Sequence, residues 1–148
     1  GELPVLVDGE VILRDSQAIL VYLARRYAGQ AWWPEGAAQQ GEVMQWLSVA
    51  SNEVQHGPNA VRLVDKFGYE IDKPQAMRLT DRILGLLESH LSSHDWLALG
   101  RPTIADMAVF PYVALCHEGG VDLSPYQALD QWFNRIKGLD NYISMPGL

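Results

Sequence analysis

The chain begins with two short apolar segments separated by turn-forming residues. Residues 4–7 and 10–13 consist mainly of aliphatic side chains, and Asp8-Gly9 lies between them. Because an Asp-Gly pair readily adopts the positive φ angles of a tight turn, this pattern predicts an antiparallel hairpin with Asp8-Gly9 as its turn. A lone hairpin is marginal in water, so we expect further strands or helices to cover it.

After the hairpin the apolar positions recur at helical spacing. Asp15 and Ser16 are both good N-cap residues, and they precede an apolar helical stretch that contains Ile19, Leu23 and Tyr27. Residues 28–36 contain two glycines and a proline and are therefore predicted to form a loop. The remainder of the chain has no strand pattern.

Beyond the loop the sequence predicts at least four helices. The first starts near Ala38, and Gly57-Pro58 are expected to break or kink it. The next two are predicted at Gln75–His94 and Ile104–His117. The last is predicted to start with Ser124 as N-cap, Pro125 at the first helical position and Gln127 three residues after the cap.

The most specific local pattern is RPTIADMAVFPY, residues 101–112. Thr103 is placed to cap a helix start, and Asp106, three residues later, can accept a hydrogen bond from the Thr103 amide, as in a capping box. Taken alone, this pattern indicates a structural rather than a catalytic role for Asp106. Pro111 is expected to kink the same helix.

Composition and charge exclude several classes of protein. Of the 148 residues, 48% are apolar and 20% are charged, which is typical of a globular protein. The formal net charge is −7 and lysine and arginine are not clustered, so we expect no nucleic-acid partner. The apolar runs are too short to span a membrane and there is no signal segment, so we expect a cytoplasmic protein.

One cysteine and one pair of histidines are candidate reactive or metal-binding side chains. Cys116 cannot form an internal disulfide, and its position beside Leu115 indicates a small core residue. His90 and His94 have the spacing of metal ligands, but Leu91 stands where a zinc-protease motif needs glutamate. We therefore expect surface or capping histidines and no metal site.

Two stretches together resemble a known family. LPVLVDGEVILRDSQAILVYL, followed by RPTIADMAVFPYVAL, is similar to cytosolic-type, bacterial-like glutathione transferases. The resemblance implies a mainly α fold: a partial thioredoxin-like α/β unit (residues 1–28), a linker (29–37) and an all-helical C-terminal domain (38–148). The family's first β-α-β unit has no counterpart here, so we expect either a fragment or a naturally shortened member.

The resemblance also implies a glutathione site at Leu3, Pro4, Asp15 and Ser16. Pro4 would be a cis-proline, so that the backbone of Leu3 meets the cysteinyl part of glutathione. Ser16 would bind the γ-glutamyl carboxylate, and Asp15 would help to hold its ammonium group. From the residues alone, a trans-proline and a plain helix cap are also open. A cap and a carboxylate site can coexist at one helix N-terminus.

No residue matches the position of the family's catalytic residue, so we assign none and expect this chain not to catalyse conjugation. In the family, a pocket for a small hydrophobic electrophile lies between the two domains. Candidates in this chain are Trp46, Asn52, His56, Phe110 and Tyr112, although aromatic residues at helical spacing are more often core residues.

Two functions follow as expectations. The first is a glutathione transferase that uses glutathione as co-substrate, without a metal, to conjugate or reduce a small electrophile. The second is a non-catalytic interaction module that binds partners through its exposed sheet edge. The resemblance implies a homodimer, and loss of a β-α-β unit would expose apolar surface and favour self-association.

Overall fold

The computed structural model describes residues 3–148 and consists of one hairpin followed by helices. The hairpin strands are β1 (Val5–Asp8) and β2 (Val11–Arg14). The helices are α1 (Ser16–Leu23), α2 (Ala37–Val49), α3 (Ala60–Phe67), α4 (Lys73–Leu91), α5 (Ile104–Ala114) and α6 (Gln127–Lys137). The mainly α fold class with one hairpin is therefore confirmed.

The hairpin turn lies one residue later than predicted. Asp8 pairs with Val11, so the two turn residues are Gly9 and Glu10 rather than Asp8-Gly9. Gly9 has φ +61°, and the first position of such a turn is where glycine is favoured. Asp8 stays at the end of β1.

The Asp8 carboxylate ties the hairpin to the helix that follows. It accepts a hydrogen bond from the Tyr22 hydroxyl at 2.9 Å and a second one from Tyr27. The bonds from Tyr27 and Tyr22 lower the pKa of Asp8 below its usual value. These two hydrogen bonds favour the observed turn at Gly9 and Glu10, which keeps Asp8 at the end of β1.

The linker is fixed to the helical part of the chain. A π-helical turn, Ala24–Ala28, extends α1, and the next helix begins at Ala37. Between them, the Trp32 carbonyl accepts from the Ile104 amide at 3.2 Å, and the Gln30 carbonyl accepts from Arg101 at 3.1 Å. The predicted linker, residues 29–37, corresponds to this segment, while the division into two domains stays a prediction.

The expected break at Gly57-Pro58 is instead a helical segment with wider turns. Ala50–Asn59 forms a π-helix that joins α2 to α3 without interruption. This accommodates Pro58, which has no amide hydrogen to donate. A Cβ added to Gly57 would lie 3.0 Å from the Thr80 nitrogen on α4, so glycine allows the two backbones to approach closely.

The predicted capping box at the start of α5 is confirmed. The Asp106 carboxylate, fully buried, accepts from the backbone nitrogens of Thr103 and Leu97 at 2.9 and 3.1 Å. It also accepts from the Trp132 indole nitrogen at 3.0 Å and from the Thr103 hydroxyl. Burial raises the pKa of Asp106, and these hydrogen bonds oppose that shift. Asp106 is thus a structural residue, as predicted.

The predicted start of the last helix is wrong. Helix α6 begins at Gln127, after Ser124 and Pro125, and no local side chain caps it. The cap comes from α4: the two carboxylate oxygens of Glu88 accept from the amides of Ala128 and Leu129, each at 3.0 Å. A cap supplied from 40 residues away leaves no local sequence signal.

The core lies within the helical part of the chain. Its largest fully buried side chains include Leu47, Ile83, Leu87, Leu129, Trp132 and Ile136. Helices α5 and α6 contribute an aromatic cluster in which Phe110 packs edge-on against Trp132 with ring centres 6.0 Å apart. None of the helices in the described part of the chain is long and apolar enough to span a bilayer.

Candidate functional site

A cleft of about 340 Å³ lies between Pro4, which precedes β1, the start of α1, and helices α3 and α5. Pro4, Ser16 and Gln17 line one side of it. Arg62 of α3 and Tyr112 of α5 also line it, together with apolar side chains of α1 and α5. The cleft thus brings two of the four predicted glutathione-site residues together with residues from the helical domain.

Ser16 presents two unused hydrogen-bond groups at the N-terminus of α1. Asp15 caps this helix: its Oδ1 accepts from the amides of Gln17 and Ala18 at 2.9 and 3.0 Å. Neither the amide nor the hydroxyl of Ser16 has a partner among residues 3–148. Free donors at the positive end of a helix dipole suit a carboxylate.

Asp15 is held in an unusual backbone conformation. Its φ is +80°, a region that non-glycine residues rarely occupy and that concentrates at functional sites. One carboxylate oxygen serves the cap, and the other has no partner within the described chain. Capping and a charge available for a cation therefore coexist in one side chain.

The Leu3-Pro4 peptide bond is cis, as the resemblance implied. Pro4 lines the cleft, whereas the Leu3 side chain is 90% exposed and is not part of the lining. The strand pairing starts at Val5, so the ladder does not use the Leu3 backbone. This backbone is consequently available to an extended ligand.

Sequence reasoning missed Gln17. Its side-chain oxygen is enclosed but has no hydrogen-bond partner among the described residues, and it lines the same cleft as Ser16. A buried acceptor without a donor is costly unless a ligand or water supplies one. The only sequence signal was its place next to Asp15-Ser16.

Sequence reasoning also missed Arg62, which enters the cleft from α3. Its Nε donates to Glu118 at 2.5 Å, and Lys66 donates to the other oxygen of the same carboxylate. These two cations, Lys66 first, lower the pKa of Glu118. Glu118 is 56 residues from Arg62, so no local pattern could reveal the pair.

The predicted residues of the second-substrate pocket do not meet in one place. Tyr112 lines the cleft, and Phe110 lines an adjoining cleft of about 310 Å³ that shares Met107 and Pro111 with it. The other three residues lie elsewhere. Trp46 packs against the imidazole ring of α4's His90 with ring centres 4.9 Å apart, and His56 bonds to the Asn52 carbonyl beside a separate hollow.

The remaining chemical groups have structural roles. Cys116 is fully buried, and burial raises its pKa to about 12, so it is not a nucleophile near neutral pH. His94 stacks on His90 with ring centres 4.3 Å apart and bonds to the His90 carbonyl at 3.0 Å. Within residues 3–148 no three potential metal ligands cluster.

Comparison with known proteins agrees with this geometry. Residues 42–140 match the family description "Glutathione S-transferase, C-terminal domain", and residues 1–31 match "Glutathione S-transferase, N-terminal domain". Among solved structures, a glutathione S-transferase from Xanthobacter autotrophicus Py2 superposes with a TM-score of 0.89 at 26% identity, covering 99% of this chain and 73% of that one.

Two relatives extend the comparison. Glutathione S-transferase 2 of Anopheles gambiae is 29% identical over 133 residues, which is 88% of this chain and 64% of that protein. Glutathione S-transferase GstB of Escherichia coli K12 is 24% identical over 143 residues, covering 92% of this chain and 69% of that protein. The chain thus spans about two thirds of the length of these relatives, and by its sequence and its fold it belongs to the glutathione S-transferase family.

Proposed function

We propose that this protein binds glutathione in the cleft at the start of α1 and acts as a glutathione transferase on a small electrophile. The observation that carries the proposal is Ser16, whose amide and hydroxyl have no partner among residues 3–148 and which lines a cleft together with Pro4 and with residues of α3 and α5. Family membership supports it.

Two of the three residues of glutathione, the γ-glutamyl and the cysteinyl residue, have groups of matching chemistry in the chain. The amide and hydroxyl of Ser16 would hold the γ-glutamyl carboxylate at the helix N-terminus. The buried oxygen of Gln17, which lines the cleft, is an acceptor for the ammonium group. The free oxygen of Asp15 is a second acceptor, although Asp15 lines the hollow between α1 and α2 and not the cleft itself. The Leu3 backbone N–H and C=O would pair with the cysteinyl peptide group, as an added strand does.

The apolar walls of the cleft suit the second substrate. Glutathione supplies a thiol that attacks an electrophile as its thiolate. Met107, Pro111 and Tyr112 of α5 provide a largely apolar surface next to the groups assigned to glutathione. A small hydrophobic electrophile would therefore be held beside the thiol with most of its surface excluded from water.

No residue among the 148 is assigned to activate the thiol. Cys116 is excluded by its burial and its raised pKa. We therefore treat binding and conjugation as separate properties: the proposal names the groups that bind glutathione and leaves the group that activates its thiol unassigned.

Oligomeric state and location belong to the same proposal. We infer a cytoplasmic homodimer in which an apolar hollow of about 650 Å³ between α1 and α2 receives the second copy. Met44, 49% exposed, lies in this hollow together with Val21 and Leu47. Family membership favours the transferase over the non-catalytic interaction module.

The test is the affinity of the 148-residue protein for glutathione, measured by isothermal titration calorimetry. Ser16→Ala should weaken binding about tenfold, because it removes one hydrogen bond to a charged group. The Ser16→Ala variant should unfold at the same urea concentration as the unaltered protein, because Asp15 still caps α1. Ser48→Ala, an exposed change on α2, is the matched control.

Two outcomes would contradict the proposal. If the unaltered protein did not bind glutathione measurably, the proposed function would be wrong and the non-catalytic interaction module would be the better explanation. Equal affinities for the Ser16→Ala and Ser48→Ala variants would show that glutathione does not use the N-terminus of α1.

A further inference from the structure

Arg62 is the one charged residue among the described residues that line the cleft. The rest of the lining is apolar apart from Ser16, Gln17 and Tyr112. A cation on an apolar wall is costly unless it is partnered, so its presence calls for an explanation. Glu118 partners only part of the guanidinium.

Two contacts hold the Arg62 side chain in place. Its Nε donates to Glu118 at 2.5 Å, and its Cζ lies 5.3 Å from the centre of the Phe67 ring. The side chain is 16% exposed. Its planar group is therefore oriented before any ligand arrives, which reduces the entropy lost on binding.

The terminal nitrogens of Arg62 remain available. Neither Nη atom has a hydrogen-bond partner within residues 3–148, and neither is enclosed by protein. Lys66 also donates to Glu118, so this carboxylate is shared by two cations and the trio keeps a net positive charge. The two Nη groups of one guanidinium match the two oxygens of a carboxylate.

We propose that Arg62 selects second substrates that carry a carboxylate or a similar anionic group. This inference rests on the proposed function and adds the substrate class to it. The apolar surface of α5 would hold the body of the electrophile, and the Nη groups of Arg62 would bind its anionic end.

We assign the anion that Arg62 binds to the second substrate because Arg62 lies beside the apolar wall of the cleft. Of the two carboxylates of glutathione, that of the γ-glutamyl residue already has the two donors of Ser16 at the start of α1, and the titration with glutathione itself tests whether Arg62 binds the glycyl carboxylate instead. Arg62 belongs to α3 in the helical domain, the domain that also supplies the apolar wall through Met107, Pro111 and Leu115. The anion site and the apolar wall are thus built by the same domain.

The experiment compares two glutathione conjugates of equal length in calorimetric titrations. One is S-pentylglutathione, and the other is S-(4-carboxybutyl)glutathione, which ends in a carboxylate. The measured quantity is the ratio of their dissociation constants, with glutathione itself as the reference ligand. In Arg62→Gln the preference for the carboxylate conjugate should fall about tenfold relative to the unaltered protein, while the affinity for glutathione is unchanged.

Lys66→Gln is the matched control, since Lys66 shares Glu118 with Arg62 but does not line the cleft. This variant removes the net positive charge of the trio but leaves the free Nη groups of Arg62, so the preference ratio should fall by much less than in Arg62→Gln. An unchanged ratio in Arg62→Gln would overturn the inference while leaving glutathione binding intact. Equal weakening of glutathione and both conjugates would also overturn it, by placing Arg62 on a carboxylate of glutathione. If no ligand binds the unaltered protein, the proposed function fails and this inference with it.

Discussion

The Asp106 carboxylate accepts more hydrogen bonds than any other side chain among the described residues. Its carboxylate gathers donors from the loop before α5, from the N-cap Thr103 and from Trp132 of α6. All of these groups are buried. The residue therefore joins three segments through one side chain.

Replacing Asp106 with alanine should destabilise the protein by at least about 3 kcal/mol. The change leaves the buried donors of Leu97, Thr103 and Trp132 without an acceptor, and each such loss costs about 1–3 kcal/mol. Urea unfolding followed by tryptophan fluorescence measures the effect. Asp81→Ala, an exposed change on α4, is the control; similar unfolding midpoints for the two variants would contradict this role of Asp106.

Cys116 should be unreactive in the native protein. With a pKa of about 12, only about one thiol in ten thousand is ionised at pH 8, and the side chain is fully buried. Ellman's reagent at pH 8 should give no colour until urea unfolds the chain, and then one equivalent. Rapid reaction without urea would show that this part of the core opens readily.

Residues were predictable from sequence where their partners are near in the chain. Thr103 and Asp106 are three positions apart, so the capping box could be identified directly. Arg62 and Glu118 are 56 positions apart, and nothing local marks either one. The family resemblance pointed to Ser16 as a glutathione-site residue, and the structure places Ser16 in the cleft, but the resemblance offered no guide to Arg62.

At the scale of elements, glycine sets how closely two segments approach. A Cβ added to Gly119 would lie 2.6 Å from the Val61 carbonyl carbon and 2.7 Å from the Arg62 nitrogen. These atoms belong to the backbone of α3 and cannot rotate away. The turn of 3₁₀-helix at Cys116–Gly119, which carries Glu118, therefore depends on this glycine for its position against α3.

Gly119→Ala should destabilise the protein by about 1–3 kcal/mol, the usual cost of overpacking. Gly85→Ala is the matched control, since Gly85 is exposed within α4 and its added methyl group meets nothing within 4 Å. The control should stabilise the protein by up to about 1 kcal/mol through helix propensity. Thermal unfolding compares the pair, and equal melting temperatures would refute the close approach.

A second pair of variants tests where the cap of α6 lies. Glu88→Ala should cost about 1 kcal/mol, because two amides at the start of α6 lose their acceptors. Ser124→Ala should change the free energy of unfolding by less than about 0.5 kcal/mol, because Ser124 does not cap the helix. If Ser124→Ala lowered the urea midpoint of unfolding more than Glu88→Ala, Ser124 and not Glu88 would be the cap of α6, as the sequence predicted.

Element types were easier to predict than element ends. Helical periodicity identified every long helix, because it reflects one buried face. The start of α6 and the hairpin turn were misplaced, because each depends on a distant partner: Glu88 in the first case and the tyrosines that bind Asp8 in the second. The π-helix at Ala50–Asn59 was predicted only as a break or kink, because the sequence shows Pro58 but not the close approach of Gly57 to α4.

At the scale of the whole molecule, the site is built by both parts of the chain. The start of α1 supplies polar groups, and α3 and α5 supply an apolar wall and a cation. The resemblance predicted this division, while composition and periodicity alone indicated only a mainly helical protein. The outer face of the hairpin, with Val7 66% and Ile12 69% exposed, remains uncovered by the described residues.

The homodimer proposal predicts the effect of a charge in the hollow between α1 and α2. Met44→Glu should shift the protein from dimer to monomer, because removing a carboxylate from water against the apolar side chains of Val21 and Leu47 is costly. Sedimentation velocity over a range of concentrations measures this. Gln45→Glu, the neighbouring exposed position, adds the same charge and should leave the dimer intact; a monomer in all three proteins would contradict the proposed interface.

The Glu88 cap has a consequence for the order in which the chain becomes ordered. Because the amides of Ala128 and Leu129 are closed by a carboxylate of α4, the first turn of α6 is complete only when these two helices are docked. Hydrogen exchange at those amides therefore reports the opening of the contact between α4 and α6, and not the fraying of α6 alone. The exchange rates of the Ala128 and Leu129 amides thus report whether α6 is docked on α4, a helix that begins more than fifty residues earlier.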